Sequence, residues 1–324
     1  MHKRLQLSFI CLALAILSIL GVNAWGQAKI LVSSNSAGNA SIIDAETNMV
    51  LQTLMIGSNP YGAAVRGSNA YMVNFGSDSV TVIDTDTQMA TDTIAVGTAP
   101  VGVATNTTHA FVTNRSSNDV SVIDLGTNTV VDTIAVGNSP RGIAANDSRV
   151  YAANYNGSTV SVIDTASNSV IGTVGVGNFP FGVATFGTFA YVANFGSNTV
   201  SVIDSATQTV IDTINVGTAP YGVAIGGTRL YVANSVSGNV SVIDTATQSV
   251  VSTFPVGTDP FGIALTDDAT RAYITRSFAN VVAVVDTATE MVITTIPVDN
   301  LPLTFGDFVG PGPVPVELQS FTVE

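Results

Sequence analysis

A block of about forty residues recurs seven times along the 324-residue chain, and the copy YVANFGSNTVSVIDSATQTVIDTINVG over residues 191–217 shows it most fully. Repetition on this scale restricts the fold to an array of like units. Asp44, Asp84, Asp124, Asp164, Asp204, Asp244 and Asp286 stand forty residues apart, except for a last interval of forty-two, and Pro60, Pro100, Pro140, Pro180, Pro220 and Pro260 keep the same beat. Forty residues hold four short strands and their turns, the unit of a propeller blade. A residue present in every copy is most simply explained by the geometry that all copies share. Function must be sought where the copies differ.

Residues 180–217 show how one unit folds. Pro180 and Gly182 set a turn, and a short strand of small residues follows, suited to crowding against its counterparts around a central axis. AYVAN, TVSVID and TVIDTINV are the next three strands, separated by Gly-Ser-Asn and Asp-Ser-Ala-Thr, which are turn chemistry. The two middle strands are apolar on both faces, as they must be between neighbouring blades. Asp212 and Asn215, with Asp92 and Asp132 in other copies, interrupt the fourth strand and mark it as an exposed edge. The expected fold is all-β, a seven-bladed propeller with four antiparallel strands per blade.

The first copy lacks its innermost strand. Past the last copy, Leu303-Thr304-Phe305-Gly306-Asp307-Phe308-Val309 resembles the missing strand with two extra residues in its turn. Residues 303–309 are therefore expected to join the N-terminal blade and close the ring. Lys3 and Arg4 precede an apolar run from about Leu7 to Val22, with small residues after it, so residues 1–28 read as an export signal. The propeller is then residues 29–309, and GPGPVPVELQSFTVE over 310–324 is a proline-rich tail. An exported chain is expected in the periplasm, at the cell surface or outside the cell.

Without the leader, eight basic side chains face twenty-three acidic ones, a formal charge of −15. Such a field disfavours nucleic acid and anionic lipid. Cys11 lies in the leader, so the remainder has no thiolate chemistry and no disulfide. Its one histidine, His109, falls between the first and second strands of its blade, so common zinc, copper and haem ligand sets are missing and a Ser-His-Asp triad would have to use it. No cofactor or metal is expected, and a monomer is.

At YVAN, VSVIDTAT and the P-x-G-V-A turn, the sequence resembles the YVTN family of β-propeller repeats over nearly all of residues 29–309. The resemblance implies a seven-bladed propeller related to surface-layer, lactonase-like and quinoprotein-like propellers. It implies no activity, since one fold hosts many functions. The last copy departs from it, with Tyr273-Ile274-Thr275-Arg276 in place of YVAN.

Against this baseline, Asn74, Asn114, Asn154, Asn194 and Asn234 read as turn caps, and the repeated aspartates likewise. The variable residue of P-x-G carries more information: Tyr61, Val101, Arg141, Phe181, Tyr221 and Phe261, with Phe305 as the seventh. These side chains should ring one channel mouth, where Phe75, Arg115, Tyr155, Phe195 and Arg276 join them from the loops after the second strands. Aromatic and arginine side chains around a concave mouth suit binding, and the competing reading is that the aromatics merely cap the channel. The candidate ligand site is Tyr61, Arg115, Arg141, Phe181, Tyr221, Phe261, Arg276 and Phe305. It would serve a non-catalytic scaffold for a protein, glycan or small ligand. Two alternatives stand beside it: a lactonase- or lyase-like enzyme using Asp307, Asp119 or Asp259, and a structural component of a surface layer.

Overall fold

The structure is a computed structural model and describes residues 28–310. The expected leader and tail lie outside the described residues, apart from Ala28 and Gly310. Six sheets of four antiparallel strands and one of three follow each other along the chain. With the closing segment, they form a ring of seven blades.

The fifth blade, with strands Pro180–Phe186, Phe189–Asn194, Thr199–Asp204 and Thr209–Asn215, shows why this sequence folds so. Its two middle strands are buried on both faces because a blade lies against each side. Tyr191, Val200, Val202 and Ile214 pack on Val223, Leu230, Val232 and Ile243 of the next blade, so the apolar core is distributed between blades. The outermost strand buries Ile214 and leaves Asp212 and Asn215 toward solvent. At the turn between third and fourth strands, Asp204 Oδ1 accepts the backbone N–H of Ala206 and Thr207, at 2.9 and 2.8 Å. The same cap recurs at Asp84, Asp124, Asp164 and Asp244.

The P-x-G glycine has a packing cause. A Cβ at Gly182 would fall on the carbonyl oxygen of Tyr221 in the next blade, and one at Gly142 on that of Phe181. Around the ring, Gly62 meets Val101, Gly102 meets Arg141, Gly222 meets Phe261 and Gly262 meets Thr304 in the same way. Only glycine lets the inner strands come this close.

The repeated asparagines are not turn caps. Asn194 is fully buried, and its turn is closed by its own backbone carbonyl, which accepts from the N–H of Ser197 and Asn198 at 3.1 and 3.0 Å. Its side chain is left to turn inward, where Nδ2 donates to the hydroxyls of Thr199 and Ser201 at 3.1 and 2.9 Å. Asn74, Asn114, Asn154 and Asn234 make the corresponding bonds across the blade.

Closure occurs where the sequence places it. The first blade's strand Lys29–Ser34 pairs with Asn39–Asp44 on one side, and on the other meets the closing segment through two antiparallel bridges, Ile30 to Val309 and Ser34 to Pro302. Leu31 N–H donates to Phe308 O at 2.9 Å, Asn35 N–H to Leu301 O at 3.1 Å and Gly310 N–H to Lys29 O at 2.7 Å. Toward the second blade, the carbonyls of Phe305 and Asp307 accept from Ala63 and Val65 at 3.0 and 2.9 Å. The segment is not a regular strand: between its two bridges it carries three more residues than the strand it faces, and the Thr304 and Ser33 hydroxyls lie 2.8 Å apart within that stretch. On the outer side, Tyr273 of the last blade donates its hydroxyl proton to Ala45 O of the first, at 3.0 Å.

Candidate functional site

The variable residues of P-x-G come together, but as a plug rather than an open ring. Phe181 and Phe305 belong to blades that are not neighbours, yet their ring centroids are 5.1 Å apart across the channel axis. Phe181 also meets Tyr221 at 4.8 Å and Phe261 at 5.7 Å, all edge-on, the arrangement that ring quadrupoles favour. Val101, Phe181, Phe261 and Phe305 are buried, with Tyr61 and Tyr221 half-buried above them. Burial raises the Tyr61 hydroxyl pKa and pushes that of Tyr221 up to about 12, so both remain neutral hydrogen-bond donors.

Arg141 is the exception in this layer. Its guanidinium carbon lies 3.8 Å from the centroid of Tyr155 and 5.6 Å from that of Phe181. It forms no ion pair among the described residues, and its buried Nε has no hydrogen-bond partner. Burial, with the neighbouring Arg115 charge, holds its pKa below the ordinary guanidinium value. Exposed Arg115 lies 5.9 Å from the Phe75 ring. Arg276 is tied down: it takes the place of the repeated asparagine, sits against Gly257, and donates through Nε to Thr258 O at 3.2 Å. Of the eight predicted residues, the surface presents Tyr61, Tyr221, Arg141 and Arg115, over a floor of Phe181, Phe261 and Phe305.

Three residues on this face escape a reading based on the P-x-G position. Phe179, 44% exposed, stacks on Tyr155 at 5.0 Å while holding a left-handed φ of 54°. A bulky side chain in that region is an outlier. Its signal in the sequence is an aromatic just before the proline, where the other copies carry Asn59, Ala99, Ser139, Ala219, Asp259 and Leu301. Val236 and Phe278, 71% and 75% exposed, extend the apolar surface outward on the loops of the sixth and seventh blades.

The predicted carboxylates separate. Asp119 accepts from Asn114 Nδ2 at 2.6 Å, and Asp259 holds a left-handed φ of 54° at the crossover into Pro260. His109 shares a 2.8 Å hydrogen bond between Nδ1 and the Thr108 hydroxyl, away from the plug. Asp307 lies in the channel beyond the plug, in a cavity of about 230 Å³ walled by the far ends of the inner strands. Its side chain is exposed to that space. Burial pushes its pKa up to about 7, with Asp267 adding to the rise and Arg66 opposing it. Among the described residues, no three His, Cys, Asp or Glu side chains lie together as a metal site.

A family model described as YNCE-like beta-propeller matches residues 72–191. The chain is similar in structure to a functionally unknown protein from Desulfotomaculum acetoxidans, with a TM-score of 0.75 at 15% identity over 86% of this chain and 99% of that one. A protein from Bacteroides uniformis, described as a candidate 6-phosphogluconolactonase, gives 0.72 at 17% identity over 86% and 98%. Hydrazine synthase from Kuenenia stuttgartiensis gives 0.67 at 20% identity over 76% and 88%. No curated protein matches the chain. Fold, repeat and family match together define a β-propeller repeat protein, of an architecture whose neighbours carry dissimilar roles.

Proposed function

We propose that this chain is an exported, non-catalytic propeller scaffold of the YVTN type, and that it captures a ligand at the plugged mouth through an acidic group on a protein, glycan or small molecule. One observation carries the reading: Arg141 is held over Tyr155 with no carboxylate and an unpartnered Nε. A desolvated guanidinium on an aromatic platform is a costly arrangement for a fold to keep, and it is repaid when a carboxylate or sulfate arrives. Tyr61 and Tyr221 hydroxyls beside it supply neutral donors, and Phe179, Val236 and Phe278 supply apolar contact around it. Arginine and aromatic residues of this kind dominate binding energy at interfaces. The leader expected over residues 1–28 would place this face outside the cytoplasm.

The test is capture from an extracellular fraction, together with titration against sulfated and uronate-bearing oligosaccharides and their neutral counterparts. Arg141→Ala combined with Tyr221→Ala should weaken the bound partner by about thirtyfold or more, the scale of a hot-spot loss, while a cooperative unfolding transition is retained. Undiminished capture by the folded double variant would exclude this face.

A further inference from the structure

One position in the loop after the second strand departs from the baseline that the repeats set. Asp78, Asn118, Asn198 and Asn280 hold it at left-handed φ values between 50° and 58°. Each reaches with Oδ1 to the residue before the next proline and accepts its backbone N–H: Ala99, Ser139, Ala219 and Leu301, at 2.7, 2.8, 2.9 and 2.9 Å. Ser158 forms no such bond in the fourth copy, and the first copy has Gly38 there, at a φ of 69°. Gly38 leaves the Asn59 N–H without its acceptor, and no described residue takes that place. A cleft of about 560 Å³ opens there between the first and second blades. Gly238 repeats the exchange before Asp259, and a second cleft, of about 360 Å³, opens beside it.

No charged side chain lines the first cleft. Ser36 and Ser58 present exposed hydroxyls to it, and the Asn35 and Asn59 amides are anchored to Pro60 O and Asn35 O at 3.1 and 3.4 Å. Met55, 75% exposed, adds one apolar contact. A carboxylate would find no cation among these residues, whereas an amide carbonyl needs none, and three of the four groups that fill the position elsewhere are amides. Hydroxyls and amides that both donate and accept suit a polyhydroxylated body around that carbonyl.

We propose that this cleft binds an N-acetylated amino sugar. The acetamido oxygen accepts the Asn59 N–H in place of the missing side chain, the acetyl methyl lies against Met55, and ring hydroxyls meet Ser36 and Ser58. The site uses none of the residues of the aromatic mouth and is tested apart from it.

The test is an amide NMR titration of the full chain with tri-N-acetylchitotriose and with cellotriose, which carries hydroxyls where the other has acetamido groups. The acetylated trimer should bind about fivefold more tightly, the worth of one neutral hydrogen bond, and should move the Asn59 backbone amide signal. Gly38→Asn restores the side chain of the other blades at a φ that asparagine accepts. It should hold or raise the urea midpoint while the acetylated trimer no longer moves the Asn59 signal, and Arg141→Ala should leave the binding unchanged. Equal binding of the two trimers, no binding, an unmoved Asn59 signal in the unaltered protein or an undiminished shift in Gly38→Asn would overturn the proposal. So would N-acetylasparaginamide, a peptide fragment, binding where the sugar does not. The comparison of trimers on the unaltered protein decides the matter even if the substitution disturbs folding.

Discussion

Two sets of carboxyl groups pull stability in opposite directions with pH. Turn aspartates from Asp84 to Asp286 accept hydrogen bonds from the residue three positions on, which holds their pKa below the ordinary value. Their contribution is complete above the unfolded-chain value of about 3.9 and is lost as pH falls through the folded values. Asp307 does the reverse: folded, it keeps its proton up to about pH 7, whereas the unfolded chain releases it near 3.9, so its ionisation erodes stability as pH climbs between those values. Thermal unfolding of the protein should therefore decline from pH 5 to pH 8 relative to Asp307→Asn. Parallel curves for the two would contradict the raised pKa of that carboxyl. A second residue-scale strain lies before the prolines, where Ala219 holds a φ of 57°. Left-handed φ costs a non-glycine residue about 1–2 kcal/mol, and glycine gives back part of that through unfolded-state entropy, so Ala219→Gly should stabilise by about 0.5–1 kcal/mol in urea unfolding.

The elements that matter most are the seven inner segments, and their spacing depends on glycine. Placing Gly182→Ala forces a methyl onto the Tyr221 carbonyl of the next blade, and backbone cannot yield as a side-chain tip can. Overpacking of this kind costs about 1–3 kcal/mol, to be read as a lower urea midpoint at an unchanged slope. The same substitution at Gly67, whose Cβ would meet nothing, isolates the cost of its left-handed φ of 57° from that of crowding. Strand order, turns and exposed edges were legible because the second, third and fourth strands repeat their patterns seven times and the first strand six, with TVSVID typical of the third. The asparagines were misread because a side chain ending a strand looks the same in sequence whether it caps a turn or turns inward; only the fully buried Asn194, bonded to Ser201, distinguishes the two. At the mouth, sequence identified which residues gather but not that Phe181 and Phe305 cross the axis, since that depends on the channel's width. The cavity beside Asp307 was legible only as a carboxylate in the closing segment, because the space itself is bounded by inner strands from several blades.

At the scale of the whole molecule, most of the apolar core lies between neighbouring blades, and the aromatic plug at one mouth joins blades across the axis. Each blade is stabilised by two neighbours, so one missing segment leaves two blades incomplete. Deleting residues 302–324 removes the backbone bonds at Leu31, Ala63, Val65 and Lys29 and leaves Ile30 and Leu31 uncovered. At about 1 kcal/mol per bond, with about 4 kcal/mol more for the lost burial of Phe308 and Val309, the loss rivals the total stability of an ordinary domain. The expected outcome is an aggregating chain with no cooperative unfolding transition. A deletion that melts like the intact protein would show that the seam is dispensable.

Lys29 and Gly310 are joined by a 2.7 Å hydrogen bond, so the described chain enters and leaves the ring at one point, beside the closing segment. A pull applied through the two ends does not stretch the disc across its diameter. It loads the seam first, at two bridges and a handful of bonds, while the other blades bear almost none of the force. Under tension the ring should fail as a clasp does, opening at that one joint and then shedding blades in turn from both sides of it.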